Sequence, residues 1–262
     1  MGVSELQKHP IFDSHIHIIE NGYPIQSNNG YIPDQFTIED YKDRMARYTL
    51  EGGVVVSGSF QGFDQTYLVD ALGTLGTGFV GVTQIPETTS DEEIMNLHSH
   101  GVRGVRFNLN RGGSAGSEDL LTIANRIYNL VGWHVELYLG PKSLHELKNI
   151  IPALPKVCID HLGVSDSNFE LLLNLIRSGL TIKATGFGRV DLDVEKAIKQ
   201  IHSISPKTLM FGTDLPSTRA RRKYADNDFL KIIKFLGQKE AQKVFSSNAL
   251  NFYGVENSFT DK

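Results

Sequence analysis

Strand-like and helix-like segments alternate along this chain with a regular beat, and that beat limits the fold more than any motif does. Apolar or β-branched runs at residues 11–18, 54–60, 79–85, 102–109, 133–139, 156–161, 181–186 and 208–212 read as strands. Helical spacing occupies 38–50, 64–75, 90–100, 117–130, 143–150, 168–178 and 193–203, and helices at 228–236 and 239–252 close the chain. Thr37 with Asp40 three residues later predicts a capped start for the first of these. Such a succession in 262 residues is what a (β/α)8 TIM barrel requires. A doubly wound sheet would need a glycine-rich turn after strand one, and His15-Ile16-His17-Ile18-Ile19-Glu20-Asn21 has no glycine. No composition break divides the chain, so a single barrel domain over 1–262 is expected.

Composition narrows the partners. A net charge of −4 gives no reason to expect nucleic acid or an anionic membrane. No apolar run is long enough to span a bilayer, no basic-plus-apolar leader opens the chain, and a cytoplasmic location is expected. The single cysteine, Cys158, excludes an intrachain disulfide and sits in an apolar run as a core residue.

Alternation in strand one places Phe12, Ser14, Ile16 and Ile18 on one face and Asp13, His15 and His17 on the other. Two imidazoles side by side can hold a divalent ion or a substrate oxygen. In a barrel the active site collects at the C-terminal strand ends. Those ends offer Ser57, Ser59 and Gln61, then Arg106, Asn108 and Arg111, then His134, Glu136 and Tyr138. Beyond them come Asp160 and His161, Lys183, Thr185 and Arg189, and last Asp214. Lys183 is expected to point inward against a carboxylate, and Arg103 to be solvated. His9, His98, His100, His145 and His202 are expected at the surface. Asp214 would face His15 and His17 across the mouth as metal ligand, general base on water, or both. The run 217–223, with Arg219 inside it, gives a cationic rim that suits a small anionic substrate.

Four motifs, in order along nearly the whole chain, resemble the amidohydrolase superfamily, in the branch with 2-pyrone-4,6-dicarboxylate lactonase and sugar lactonases. They are Phe12-Asp13-Ser14-His15-Ile16-His17, Val102-Arg103-Gly104-Val105-Arg106-Phe107-Asn108, Ile159-Asp160-His161-Leu162-Gly163 and Phe211-Gly212-Thr213-Asp214-Leu215-Pro216. Asn248-Ala249 with Phe252-Tyr253-Gly254 resembles the closing helix. The resemblance implies a hydrolase in which His15, His17, His161 and Asp214 are catalytic. It also implies Tyr138, Arg106 and Arg189 on the substrate, and Asn108 at the end of its strand and Arg219 in the cationic run are further substrate-binding candidates. Many members hold a divalent metal, with a strand-five histidine among the ligands. Here strand five offers Glu136 or Tyr138 instead, with His134 too deep, and the metal-free lactonases become the nearer likeness.

The expected reaction is therefore opening of a lactone ring on a carboxylate-bearing substrate, with Asp214 activating water. One alternative is a zinc- or manganese-dependent amidohydrolase or decarboxylase with the ion on His15, His17, Asp214 and Glu136. The other is a barrel that binds an organic anion without catalysis.

Overall fold

Short runs of β-branched and apolar residues form the strands of this computed structural model, which describes residues 3–256. The strands are β1 (Ile11–Ile16), β2 (Leu50–Val56), β3 (Phe79–Thr83), β4 (Val102–Asn108), β5 (His134–Tyr138), β6 (Val157–Ile159), β7 (Thr181–Ala184) and β8 (Leu209–Phe211). They pair in parallel in sequence order as one eight-stranded sheet. Helices follow them on the outside: α1 (Val3–Gln7) before β1, then α2 (Ile38–Met45), α3 (Thr66–Leu75), α4 (Asp91–Ser99), α5 (Leu120–Val131), α6 (Pro141–Glu146), α7 (Phe169–Arg177) and α8 (Val194–Ile204). After β8 come α9 (Asp226–Leu236), α10 (Gln238–Gln242) and α11 (Asn248–Tyr253). This is the expected (β/α)8 barrel. No helix among the described residues is long and apolar enough to cross a membrane.

Local chemistry sets the helix ends. Thr37 and Asp40 form the capping box at α2, Ser90 accepts from the Glu93 amide at α4, and Asp193 does the same for Lys196 at α8. The helices bury one stripe against the outer face of the strands. The inner face carries a second cluster: Phe12, Val54, Val56, Val80, Val82, Cys158 and Met210, plugged at the N-terminal end by Ala249, Leu250 and Tyr253 of α11. Cys158 is thus a core residue. Toward the mouth the inner face changes character, from this apolar floor to Glu136, Lys183 and Arg106.

Two readings of the N-terminal region are corrected. Phe12 packs in the inner cluster while Ile16 packs in the outer one, so they do not share a face. The β1–β2 register slips between Asp13 and Ile16, and that irregularity turns Asp13 outward while His15 and His17 point in. His9, expected at the surface, is buried against Phe229 and Phe245 and bonds Gln242.

Turned outward, Asp13 closes the barrel. Its carboxylate accepts from the Thr213 amide (2.8 Å), the Thr213 hydroxyl (2.7 Å), the Tyr41 hydroxyl of α2 (3.2 Å) and the His15 amide (3.4 Å). The same seam carries Asp214 N–H to His15 O and His17 N–H to Leu215 O, both 2.8 Å. Gly212 permits the approach, because a Cβ there would lie 2.7 Å from the His15 amide nitrogen.

Burial pushes the Asp13 carboxyl up to about 6, against the pull of its four donors. A folded-state value above the ordinary one means the fold holds this proton more tightly than the unfolded chain does. Its contribution is full below pH ~4 and is lost as pH rises through ~6, about 3 kcal/mol in all. Asp13→Asn cannot ionise. In urea denaturation the stability of wild type relative to this variant should fall by about 3 kcal/mol between pH ~4 and ~7. A difference that does not change with pH would refute the assignment.

Candidate active site

The seam places the strand-one histidines beside the residue that ends strand eight. His15 Nε2 lies 3.9 Å and His17 Nε2 4.0 Å from Asp214 Oδ1. His161 joins them from just beyond β6, its ring centroid 4.9 Å from that of His15. All four residues are buried.

Each is held from behind. His17 Nδ1–H donates to Val56 O at 2.7 Å, which leaves the lone pair on Nε2 facing Asp214. Asp214 sits at φ 61°, a left-handed position rare outside glycine, right after the seam bonds. Arg189 forks onto its Oδ2 with Nε at 2.8 Å and Nη2 at 2.5 Å, and Nη2 also reaches Thr218 O. Asp214 Oδ1 has no hydrogen-bond partner among the described residues. His161 stands at φ 52° against the edge of the Tyr138 ring. Its Nδ1 occupies space that a Cβ on Gly186 would enter, at 2.6 Å. Burial drives both His17 and His161 well below the usual imidazole range, with the His15 ring next in weight for His17 and Arg189 for His161. Both are neutral at neutral pH.

Beneath the histidines lies a paired layer. Lys183 Nζ is 2.5 Å from Glu136 Oε2, and Arg106 Nη2 and Nε reach Asp160 Oδ2 at 2.8 and 3.1 Å. Arg106 also donates to Ser57 O. Burial pushes the Glu136 carboxyl up, but Lys183, His134 and His15 outweigh it and hold it well below the carboxylate range. Asp160 is held at about 2, where Arg106 and His15 overcome burial and the neighbouring Glu136 charge.

Of the residues picked out in the sequence, His15, His17, His161 and Asp214 converge. Tyr138 lines the same space, with the Arg106 guanidinium 5.4 Å from its ring. Asn108 is buried at the end of β4, where its Oδ1 accepts the Arg111 amide and shapes the following loop. Arg106 and Arg189, expected on the substrate, fork onto Asp160 and Asp214. Lys183 is inward and paired, as expected. His134 is deep as expected, packed on Phe252 and Tyr253 of α11 with Nδ1 on Arg103 O. Arg103 is half-buried and donates to His98 O and Val102 O, so its guanidinium is not simply solvated. Sequence reasoning passed over Thr213 and Gly186. The signal for Thr213 was its place between Gly212 and Asp214; nothing in the sequence pointed to Gly186.

A cover closes over the cluster. Arg219 donates to Asn28 O and stacks on Tyr31, 4.3 Å from its ring, and Asn28 Nδ2 donates to Arg111 O. The Nε atoms of Arg111 and Arg219 are buried and without partners among the described residues.

The donor set suits a divalent ion. His15 Nε2, His161 Nδ1 and Asp214 Oδ1 are all buried and unpartnered among the described residues, and one atom from each of these residues falls within 4.8 Å of the others. Glu136 does not belong to the set. It approaches His15 on the Nδ1 side, and Lys183 already occupies its other oxygen.

Known proteins resemble this chain over most of its length. The 2-pyrone-4,6-dicarboxylate hydrolase of Comamonas testosteroni is 27% identical over 276 residues, covering 93% of this chain and 90% of that one. The 4-sulfomuconolactone hydrolase of Rhizobium radiobacter is 26% identical over 268 residues, again covering 93% and 90%. A crystal structure of a probable 2-pyrone-4,6-dicarboxylic acid hydrolase from Acinetobacter baumannii superposes with a TM-score of 0.81 at 23% identity, over 93% of this chain and 99% of that chain. The amidohydrolase family model matches residues 12–255, and the chain belongs to the amidohydrolase family.

Proposed function

We propose that this protein hydrolyses the lactone ring of a small carboxylate-bearing substrate, with Asp214 as general base. The observation that carries the reading is Asp214 Oδ1. It is one oxygen of a carboxylate whose other oxygen is fixed by the Arg189 fork, and it is open toward two imidazoles. The two curated relatives point the same way, since their names describe hydrolases of anionic ring compounds.

In this mechanism a water lies against Asp214 Oδ1 and gives it a proton as its oxygen adds to the ring carbonyl. The carbonyl π electrons move onto oxygen. His17 has only an acceptor free on this side, and His161, in its Nδ1–H form, would donate to that oxyanion. One such donor is worth about 3 kcal/mol in the transition state. Collapse of the tetrahedral intermediate breaks the ring C–O bond, and Asp214 returns its proton to the departing oxygen. Arg111 and Arg219, with unpartnered Nε groups under the cover, are placed to receive the anionic groups of the substrate. Because the four central residues are buried, entry requires the 20–35 segment to lift from Arg111 and Arg219.

The orphaned donor set supports a second reading with a resident ion. Zinc or manganese held by His15, His17, His161 and Asp214 would polarise the carbonyl and make water more acidic.

The deciding experiment is a panel of dicarboxylate and sugar lactones followed with a pH indicator, with and without chelator. Turnover that survives the chelator supports Asp214 acting on free water. Loss restored by zinc or manganese supports the resident ion, and no turnover on any lactone overturns the proposal. Asp214→Asn should lower kcat about 10³-fold with an unchanged circular dichroism spectrum. Near-wild-type turnover would remove Asp214 from its role. Arg219→Ala should raise KM about tenfold, the equivalent of ~1.4 kcal/mol of lost substrate binding, and leave kcat within about twofold.

A further inference from the structure

Three carboxylates stand inside the upper barrel, and each has a cation of its own. Glu136 has Lys183, Asp160 has Arg106 and Asp214 has Arg189. One oxygen of each is without a hydrogen-bond partner among the described residues: Glu136 Oε1, Asp160 Oδ1 and Asp214 Oδ1. Two of these three flank a single atom. Glu136 Oε1 and Asp160 Oδ1 each lie 3.4 Å from His15 Nδ1. Asp214 Oδ1 faces the opposite nitrogen, Nε2, at 3.9 Å.

Lys183 Nζ also stands 3.3 Å from His15 Nδ1, so a donor and two acceptors compete for one ring atom. The ammonium already has Glu136 Oε2 at 2.5 Å. Among the described residues neither carboxylate oxygen has a hydrogen-bond donor in full geometry, and Arg106 Nε stands 3.8 Å from Glu136 Oε1. A lone pair on Nδ1 would face both buried oxygens with a third acceptor, whereas a proton there would lie between two carboxylate oxygens at 3.4 Å and offset their negative charge.

We propose that Glu136 and Asp160 are positioning residues that fix His15 as its Nδ1–H tautomer. Lys183 and Arg106 hold the two carboxylates in place and ionised. Nε2 then faces Asp214 as a lone pair. His17 reaches the same state by a different route, through its Nδ1–H bond to Val56 O. Strand one thus presents two acceptors and no donor to Asp214 Oδ1. Such a front holds a cation or the protons of a water, and it leaves oxyanion donation to other groups. The assignment gives Glu136 a task that does not require it to touch metal or substrate. It holds for any reaction at this mouth and does not depend on the lactone reading.

The test reads the tautomer directly, on ¹⁵N-histidine-labelled protein stripped with chelator, near neutral pH and without substrate. Two-bond ¹H–¹⁵N correlations separate protonated from bare ring nitrogens, and the His15 signals are assigned by their loss in His15→Gln. Wild type should show a protonated Nδ1 and a bare Nε2 at His15. Either the Nε2–H form or a doubly protonated ring overturns the proposal. In Glu136→Gln, Lys183 claims the amide oxygen and the NH2 turns toward Nδ1. The Nε2–H form should then appear, and kcat should fall about 10- to 100-fold with KM within about twofold. An unchanged spectrum with unchanged kcat removes Glu136 from this role. If Glu136→Gln does not fold, the double variant Glu136→Met/Lys183→Met, which removes both charges together, carries the same spectral test.

Discussion

The site depends on a single outward-facing carboxylate at the barrel seam. Asp13 ties β1 to the end of β8 through both the amide and the hydroxyl of Thr213, and ties both to α2 through Tyr41. Strands one and eight are far apart in sequence, so nothing local brings His15 to Asp214. Closure does, and the backbone bonds from Asp214 to His15 and from His17 to Leu215 follow from it. The register slip that turns Asp13 outward is the same feature that turns His15 and His17 inward. Fold closure and site assembly are here one event.

Burying three carboxylates and three cations inside a barrel is costly unless each charge is met. The pairing of Glu136 with Lys183, Asp160 with Arg106 and Asp214 with Arg189 meets every charge, and Arg106 Nε also stands 3.8 Å from Glu136 Oε1. It also leaves one oxygen of each carboxylate for another purpose. Two of those oxygens turn toward the back of His15, and the third turns toward the space in front of it. Stability and chemistry are thereby divided between the two oxygens of the same side chain. Arg106 and Arg189 serve this internal pairing, while the Nε groups of Arg111 and Arg219 are without partners among the described residues.

That division gives the mouth a direction. On the proposed His15 tautomer acceptors gather around Asp214 Oδ1, and His161, Arg111 and Arg219 would supply donors on the other sides. A polarised arrangement of this kind suits the addition of water to a carbonyl. The water must lose a proton on one side while the carbonyl oxygen gains negative charge on the other. In this chain the inner face of β5 carries Glu136, paired with Lys183 of β7.

The sequence by itself determined the alternation of strands and helices, the inward polar residues at the strand ends, and the convergence of His15, His17, His161 and Asp214. These rest on period-two and period-3.6 patterns and on order along the chain, which survive without knowledge of contacts. It could not determine which carboxylate each cation would choose, because Arg106, Lys183 and Arg189 all point into one space and only distance selects among Glu136, Asp160 and Asp214. Nor could it place Asp13 on the outer face, since strict alternation fails at a register slip that exists only when β1 pairs with β2. Gly186 was silent for the same reason, as a glycine has no chemistry of its own and matters here only through His161, whose ring fills the space a side chain would take.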